Sequence, residues 1–129
     1  MNFPQAIASG FRNYVNFSSR AARSEFWFWV LFSFILGSVA TYLDFAVFAD
    51  FDWETLSDAS FPPFNTIMNL ALILPSLAVS VRRLHDIDRT GWWVLLVFTV
   101  IGIILLIVWD CTKGTTGSNR FGDDPLAGT

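Results

Sequence analysis

The sequence predicts an all-α membrane protein with three transmembrane helices and a short amphipathic interfacial helix before the first of them. Hydrophobic residues make up 53% of the 129 residues and charged residues only 15%, whereas soluble domains carry about 25% charged residues. Residues 26–43, 64–81 and 91–109 contain no formal charge. A single soluble domain of this length could not bury so much apolar surface. The chain is therefore expected to lie in a bilayer.

The N-terminal segment, residues 1–25, is expected to lie on the inner leaflet of the membrane. Phe3, Ile7 and Phe11 recur at near-helical spacing, which predicts a short amphipathic helix. Pro4 and Gly10 leave an irregular leader with scattered aromatic residues as the alternative.

Each uncharged run is long enough to cross a membrane as a helix. At about 1.5 Å per residue the runs reach roughly 27–29 Å, close to the thickness of the hydrocarbon core. Backbone groups in lipid must be paired internally, which favours helices. Tryptophans at the ends of the runs agree with these boundaries. A cleaved signal peptide is a rival for the first run, because residues 38–40 resemble a small-x-small cleavage site.

The flanking charges alternate along the chain and predict the orientation. Loops rich in Lys and Arg stay in the cytoplasm, so the N-terminus and the loop 82–90 are expected inside, and the base-free acidic loop 44–63 outside. The tail, residues 110–129, then falls outside, although it holds Lys113 and Arg120. A third segment that bends near Gly102 and re-enters would return the tail to the cytoplasm. The bases are Arg12, Arg20 and Arg23 before the first run, Arg82, Arg83 and Arg89 in the 82–90 loop, and Lys113 and Arg120 in the tail.

The first two spans each carry a stripe of small or polar side chains on one helical face. Such residues are unfavourable against lipid and allow close helix packing, so spans one and two are expected to pack along these stripes. Pro75 removes the hydrogen bond to the carbonyl of Ala71 and should kink the second span. Interhelical packing is favoured over a lined path for an ion or a polar substrate, because no span has an ionisable group at its centre. The stripes contain Ser33, Gly37 and Thr41 in the first span, and Asn65, Asn69, Ser76 and Ser80 in the second.

The sequence contains no pattern that indicates an enzyme or a cofactor site. His85 is the only histidine, which excludes a metal site built on several histidines, and Cys111 is the only cysteine, which excludes an internal disulfide. No nucleophile–base pair is visible. The net charge of −3, without a broad basic patch, gives no reason to expect nucleic acid as a partner.

Three motifs together resemble a bacterial inner-membrane family of unknown function, number 805 in the domain-of-unknown-function series. They are residues 19–27 (SRAARSEFW), residues 82–86 (RRLHD) with 91–93 (GWW), and residues 114–125 (GTTGSNRFGDDP). The resemblance implies a small multi-pass protein of the bacterial inner membrane. The chain departs from the family pattern at Asp88, where a small residue, often glycine, is usual, and at Thr90, where serine is typical. The positions that the resemblance singles out are Arg20, Arg23, Glu25, Arg83, His85, Asp86, Gly91, Trp92, Asn119, Arg120 and Asp124.

The expected function is that of a non-catalytic module that assembles with another membrane protein or with itself. The alternative is a protein that handles a lipid or small solute, with Arg82, Arg83 and His85 at an anionic headgroup.

Overall fold

The computed structural model describes residues 2–47 and 63–126, and the elements found there are helical. Most of the predicted acidic loop 44–63 lies outside the described residues. Two helices among these residues, Arg23–Val47 (α2) and Pro63–Asp86 (α3), are long and apolar enough to cross a membrane. The elements are α1 Phe3–Arg12, α2 Arg23–Val47, α3 Pro63–Asp86, a 3-10 helix Gly91–Phe98, and α4 Val100–Cys111.

The N-terminal helix predicted from the aromatic spacing is present as α1, which begins with a reciprocal cap. The Asn2 side chain accepts from the Gln5 backbone N–H at 2.9 Å, and the Gln5 side chain accepts from the Asn2 N–H at 3.1 Å. These bonds satisfy two otherwise unpaired donors at the helix start. At Gly10 a Cβ would lie 2.2 Å from the Trp29 ring, so glycine allows α1 to pack against α2.

Helices α2 and α3 form an antiparallel pair that is tied at both ends. At one end the Asp44 carboxylate accepts from the backbone N–H groups of Phe64 (2.8 Å) and Asn65 (2.9 Å), which places a negative charge at the N-terminus of α3. At the other end the Ala21 N–H donates to the Arg82 carbonyl at 2.9 Å.

Pro75 lies inside α3, which continues as one helix on both sides of it. Proline cannot donate to the carbonyl four residues earlier, and that carbonyl, of Ala71, accepts from the Tyr14 hydroxyl instead. The segment after α1 therefore satisfies the group that the proline leaves free.

The third apolar segment is a hairpin, where the sequence analysis expected one continuous span. The 3-10 helix ends at Phe98, and Thr99 is extended (φ −122°, ψ 146°) and caps α4 by accepting from the Gly102 N–H at 2.9 Å. The Trp93 and Trp109 ring centroids lie 5.5 Å apart, so the two ends of the segment meet. At 1.5 Å per residue α4 is about 18 Å long, too short to cross a hydrocarbon core.

The break between the 3-10 helix and α4 depends on Gly102. A bend near this residue was the alternative prediction for the third segment. A Cβ at this position would lie 2.2 Å from both the Leu96 carbonyl oxygen and Thr99 Oγ1. Hydropathy did not reveal the turn, because both arms of the hairpin are as apolar as a straight span. The 3-10 helix and α4 are together called the hairpin below.

The tail packs against the 82–90 loop, whereas the count of flanking charges predicted it on the opposite side of the membrane from that loop. The Thr115 N–H donates to the Asp86 carbonyl at 2.7 Å, and the Asn119 side chain donates to the His85 carbonyl at 2.9 Å. Counting bases flank by flank missed this arrangement, because the tail is held mainly through its backbone carbonyls.

Candidate functional site

The three motifs that are distant in the sequence meet at the end of the helix pair that carries the 82–90 loop. Five charged residues are buried there and are called the charged cluster below. They come from the segment before α2, the first turn of α2 and the last turns of α3. All are 5% exposed or less, so their charges must be compensated within the protein. The members are Arg20, Glu25, Arg82, Arg83 and Asp86.

Asp86 bridges two of the arginines. Its Oδ1 accepts from Arg20 Nε at 3.0 Å, and its Oδ2 accepts from Arg83 Nη1 at 2.8 Å. Residues 82–86 lie beyond the apolar part of α3. Burial raises the pKa of Asp86, and the two guanidiniums oppose that rise. The charged form of the carboxylate therefore depends on both arginines.

Backbone carbonyls complete the coordination of Arg20 and connect it to the tail. Arg20 Nη1 donates to the Gly117 carbonyl at 2.6 Å, and Nη2 donates to the Thr115 carbonyl at 2.5 Å. At Gly114 a Cβ would lie 1.9 Å from Asp86 Oδ2, so only glycine fits there. Arg20 and Asp86 thus hold the tail by charge and by close approach.

Arg83 connects the cluster to the end of the hairpin. Its Nε donates to the Asp110 carbonyl at 3.2 Å, and its Nη2 donates to the Thr112 carbonyl. Arg23 donates to the Cys111 carbonyl at 3.1 Å. Two arginines therefore bind the carbonyls that the C-terminal turn of α4 leaves unpaired.

Arg82 and Glu25 form the second ion pair, which connects α1 with α2 and α3. Arg82 Nη1 donates to Glu25 Oε1 at 2.9 Å, and the same oxygen accepts from the Ser9 hydroxyl at 2.6 Å. Within the described residues, Nε and Nη2 of Arg82 have no hydrogen-bond partner although they are buried. The sequence analysis missed Ser9, because a serine in an N-terminal helix gives no signal of a distant carboxylate.

His85 is held in a fixed orientation beside the cluster. Its Nδ1 lies 3.0 Å from the Ser19 carbonyl oxygen, and its ring stacks on Phe121 with centroids 4.0 Å apart. Burial lowers the pKa of His85; the carbonyls of Ser19 and Ser18 oppose this, and Arg120 adds to it. The imidazole is therefore expected to be neutral near pH 7, with its proton on Nδ1.

Asp88 lies in the turn after α3, at a position where the resemblance noted from the sequence implies a small residue. Asp88 has φ 61°, the left-handed conformation that favours glycine and that Asp tolerates better than most residues. Arg120 of the tail donates to its side chain at 3.1 Å and to its carbonyl at 2.8 Å. The aspartate side chain thus adds an exposed contact with the tail. A glycine at this position would keep only the contact through the carbonyl.

The remaining positions singled out from the sequence lie at the edge of the site. Trp92 is 80% exposed on the 3-10 helix. Asp124 accepts from the Gly117 N–H at 3.0 Å and stabilises the tail turn; hydrogen bonds from the Leu126 and Gly117 backbone lower its pKa. Asp110 lines a cavity of about 410 Å³ between α3 and the hairpin, and burial raises its pKa to about 6. The sequence analysis did not single out Asp110.

Within the part of the chain that the structure describes, some residues of the predicted packing stripes form hydrogen bonds, and others lie at open surface or without a partner. Asn65 donates to the Thr41 hydroxyl at 2.8 Å and accepts from Asn69 at 2.7 Å. Ser76 accepts from the Trp29 indole N–H at 3.0 Å, and its carbonyl accepts from Ser80 at 2.8 Å. The other two positions are Ser33, whose buried hydroxyl has no partner among the described residues, and Gly37, where a Cβ would meet nothing within 4 Å.

Residues 2–47 and 63–126 hold no group of three or more His, Cys, Asp or Glu side chains arranged to bind a metal. They hold instead the charged cluster, at which α3, the hairpin, the tail and α1 meet.

Comparison with known proteins identifies the family. The profile described as "Protein of unknown function (DUF805)" matches residues 14–123. Inner membrane protein YhaI of Escherichia coli K12 is 40% identical over 97% of this chain and 98% of its own length. Inner membrane protein YhaH of the same strain is 40% identical over 88% of this chain and 90% of its own. No solved structure matches. The chain therefore belongs to the DUF805 family of proteins of unknown function.

Proposed function

We propose that the chain is a multi-pass protein of the bacterial inner membrane, with two spanning helices and a re-entrant hairpin. In this arrangement the N-terminus, the 82–90 loop and the tail all face the cytoplasm. Most apolar side chains of α2 and α3 are exposed to the surroundings, as expected against lipid. The basic flanks support the orientation, and the relatives YhaI and YhaH carry the name inner membrane protein.

We further propose that the protein is a non-catalytic module that associates with a second copy or with another membrane protein. The supporting surface is an open groove of about 450 Å³ between α2 and α3, called the polar groove below. Its walls carry a glycine, two hydroxyls and an amide in an otherwise apolar stretch. It is lined by Phe34, Gly37, Ser38, Thr41 and Asn65.

The observation that carries this proposal is the exposure of polar groups beside the polar groove. Asn69 and Thr41 are both exposed. The Thr41 hydroxyl accepts from Asn65 and donates to the Gly37 carbonyl at 2.9 Å, whereas the Asn69 amide is held, within the described residues, by its donation to Asn65. An amide facing hydrocarbon is unfavourable, whereas an amide between helices is worth about 1–2 kcal/mol. The open space at Gly37 admits a helix backbone closely. A partner helix would satisfy both features.

The test compares association of the wild-type protein with that of Gly37→Leu and Asn69→Leu in bilayer vesicles. Asn69→Leu should weaken association roughly 5- to 30-fold, the equivalent of the 1–2 kcal/mol of one buried polar contact. Gly37→Leu should weaken it by filling the space that admits the partner backbone. Ala46→Leu is the matched control, because Ala46 is exposed on α2 and does not line the polar groove. Cross-linking and native mass spectrometry measure the stoichiometry. A wild-type protein that is monomeric and carries no protein partner, or unchanged association of both variants, would contradict the proposal.

The alternative of Arg82 and Arg83 at an anionic headgroup is not supported by their positions. Their side chains are 2% and 0% exposed, and each pairs with a carboxylate of the charged cluster. A headgroup would have to displace those pairs, which would leave a buried charge unpaired.

A further inference from the structure

A cavity of about 500 Å³ lies between the last turns of α3 and the 3-10 helix, at the end of α3 opposite to the polar groove. We call it the histidine cavity. Leu77 and Val81 of α3 and Val94 and Leu95 of the 3-10 helix contribute apolar walls. Its volume lies in the range of pockets that hold small molecules.

His85 gives this cavity a defined hydrogen-bonding character. Because Nδ1 is 3.0 Å from the Ser19 carbonyl oxygen, that nitrogen carries the proton and Nε2 retains a free lone pair. Among the described residues, the hydrogen bond of normal length that holds the ring is the one at Nδ1. Stacking on Phe121 prevents the ring from turning freely. The cavity therefore offers an acceptor, and a ligand must supply the donor.

The charged residues near the cavity make an anionic ligand a poor fit. Arg82 and Arg83 are buried and paired with Glu25 and Asp86. Arg89 lies over the Trp109 ring, 4.8 Å from its centroid. None of the described residues that line the cavity is a Lys or an Arg, so a carboxylate or phosphate would meet no cation in the lining, and the lone pair of neutral His85 would repel it.

The geometry points to a neutral amphiphile with a hydroxyl head as the ligand of the histidine cavity, its hydroxyl donating to His85 Nε2 and its apolar body lying against Leu77, Val81 and Leu95. The aromatic side chains of Phe17 and Trp92 also line the cavity. Two sources share this chemistry: an alcohol on a glycerolipid and a phenol on a hydroquinone.

The experiment uses the fact that His85 is the only histidine. Protein with ¹⁵N-labelled histidine in lipid nanodiscs should show, in two-bond ¹H–¹⁵N spectra, a protonated Nδ1 and an unprotonated Nε2. Addition of 1,2-dioctanoylglycerol or decylhydroquinone should shift the Nε2 resonance in a saturable way. A response to only one of them identifies the source of the hydroxyl and supports the proposal.

Matched probes and variants separate the proposal from general partitioning of lipid. The methyl ether of dioctanoylglycerol lacks the donor and should bind about tenfold more weakly, the equivalent of one lost hydrogen bond. Leu77→Trp should fill the cavity and abolish the shift. Leu74→Trp, on the same helix but outside the cavity lining, should not.

Three results would overturn the inference. They are a proton on Nε2 in the free protein, equal responses to the alcohol and its ether, and tighter binding of dioctanoylphosphatidic acid than of dioctanoylglycerol. The comparison of alcohol and ether uses the wild-type protein only, so it remains decisive if Leu77→Trp fails to fold.

Discussion

Replacing Asp86 with asparagine should destabilise the protein far more than the same change at Asp88, two residues later. Asp86 is the carboxylate shared by Arg20 and Arg83, whose side chains are 1% and 0% exposed. Asparagine keeps the shape but removes the carboxylate that the two buried guanidiniums share. Removing one partner from a buried ion pair costs about 3–5 kcal/mol, so a loss at least in this range is expected.

Asp88→Asn is the matched control. Asp88 pairs with Arg120 through side chains that are 49% and 57% exposed, and such surface pairs contribute about 0–1 kcal/mol. Asparagine also tolerates the positive φ at this position, so backbone strain should not change.

The assay is equilibrium unfolding in mixed micelles with increasing sodium dodecyl sulfate, followed by the fluorescence of the six tryptophans. The Asp86 variant should lose about 3 kcal/mol or more relative to the Asp88 variant, and its thermal midpoint should fall by roughly 10 °C or more. A difference below about 1 kcal/mol between the two variants would refute the view that Asp86 is the central counter-charge of the cluster.

Three further predictions follow from the same region. Gly114→Ala should push the tail away from Asp86, because a Cβ would lie 1.9 Å from its Oδ2; the tail should then be cleaved faster in limited proteolysis, and an unchanged rate would contradict the close approach. Glu25→Gln should be destabilising by about 3–5 kcal/mol, and adding Arg82→Met should recover most of the loss because no buried charge is left unpaired; a double variant no more stable than the single one would count against the pair. Burial raises the pKa of Asp110 from 3.8 to about 6. The folded state therefore holds a proton that the unfolded state loses, and the stability of the protein falls as pH rises through this window. Asp110→Asn should be more stable than wild type at pH 7.5, with the difference shrinking towards pH 4, and a difference that does not change with pH would exclude this cause.

Local patterns in the sequence were sufficient to predict α1, α2 and α3 and most members of the charged cluster. The spacing of Phe3, Ile7 and Phe11 predicted α1, and the uncharged runs 26–43 and 64–81 lie within α2 and α3. The motifs also pointed to most members of the charged cluster. These features depend on neighbours within a few residues or on one helical face, which periodicity can report.

The hairpin and the bound tail depend on contacts that periodicity does not report. Thr99 and Gly102 break the third segment through a side-chain cap and a close backbone approach, and neither changes the mean hydropathy of the run. Arg20 reaches tail carbonyls that lie 95–102 residues further along the chain. The adjacent Arg82 and Arg83 resembled an exposed basic pair, yet each has a separate buried carboxylate partner.

The central claim is that the third apolar segment turns back and leaves the tail on the side of the N-terminus. Cys111, the only cysteine and an exposed one, lies at the end of α4 and reports this directly. A membrane-impermeant maleimide should label it in inverted inner-membrane vesicles and not in intact spheroplasts, whereas the Ser57→Cys variant in a Cys111→Ser background should show the reverse. Labelling of Cys111 from outside intact spheroplasts would establish a third crossing and contradict the account.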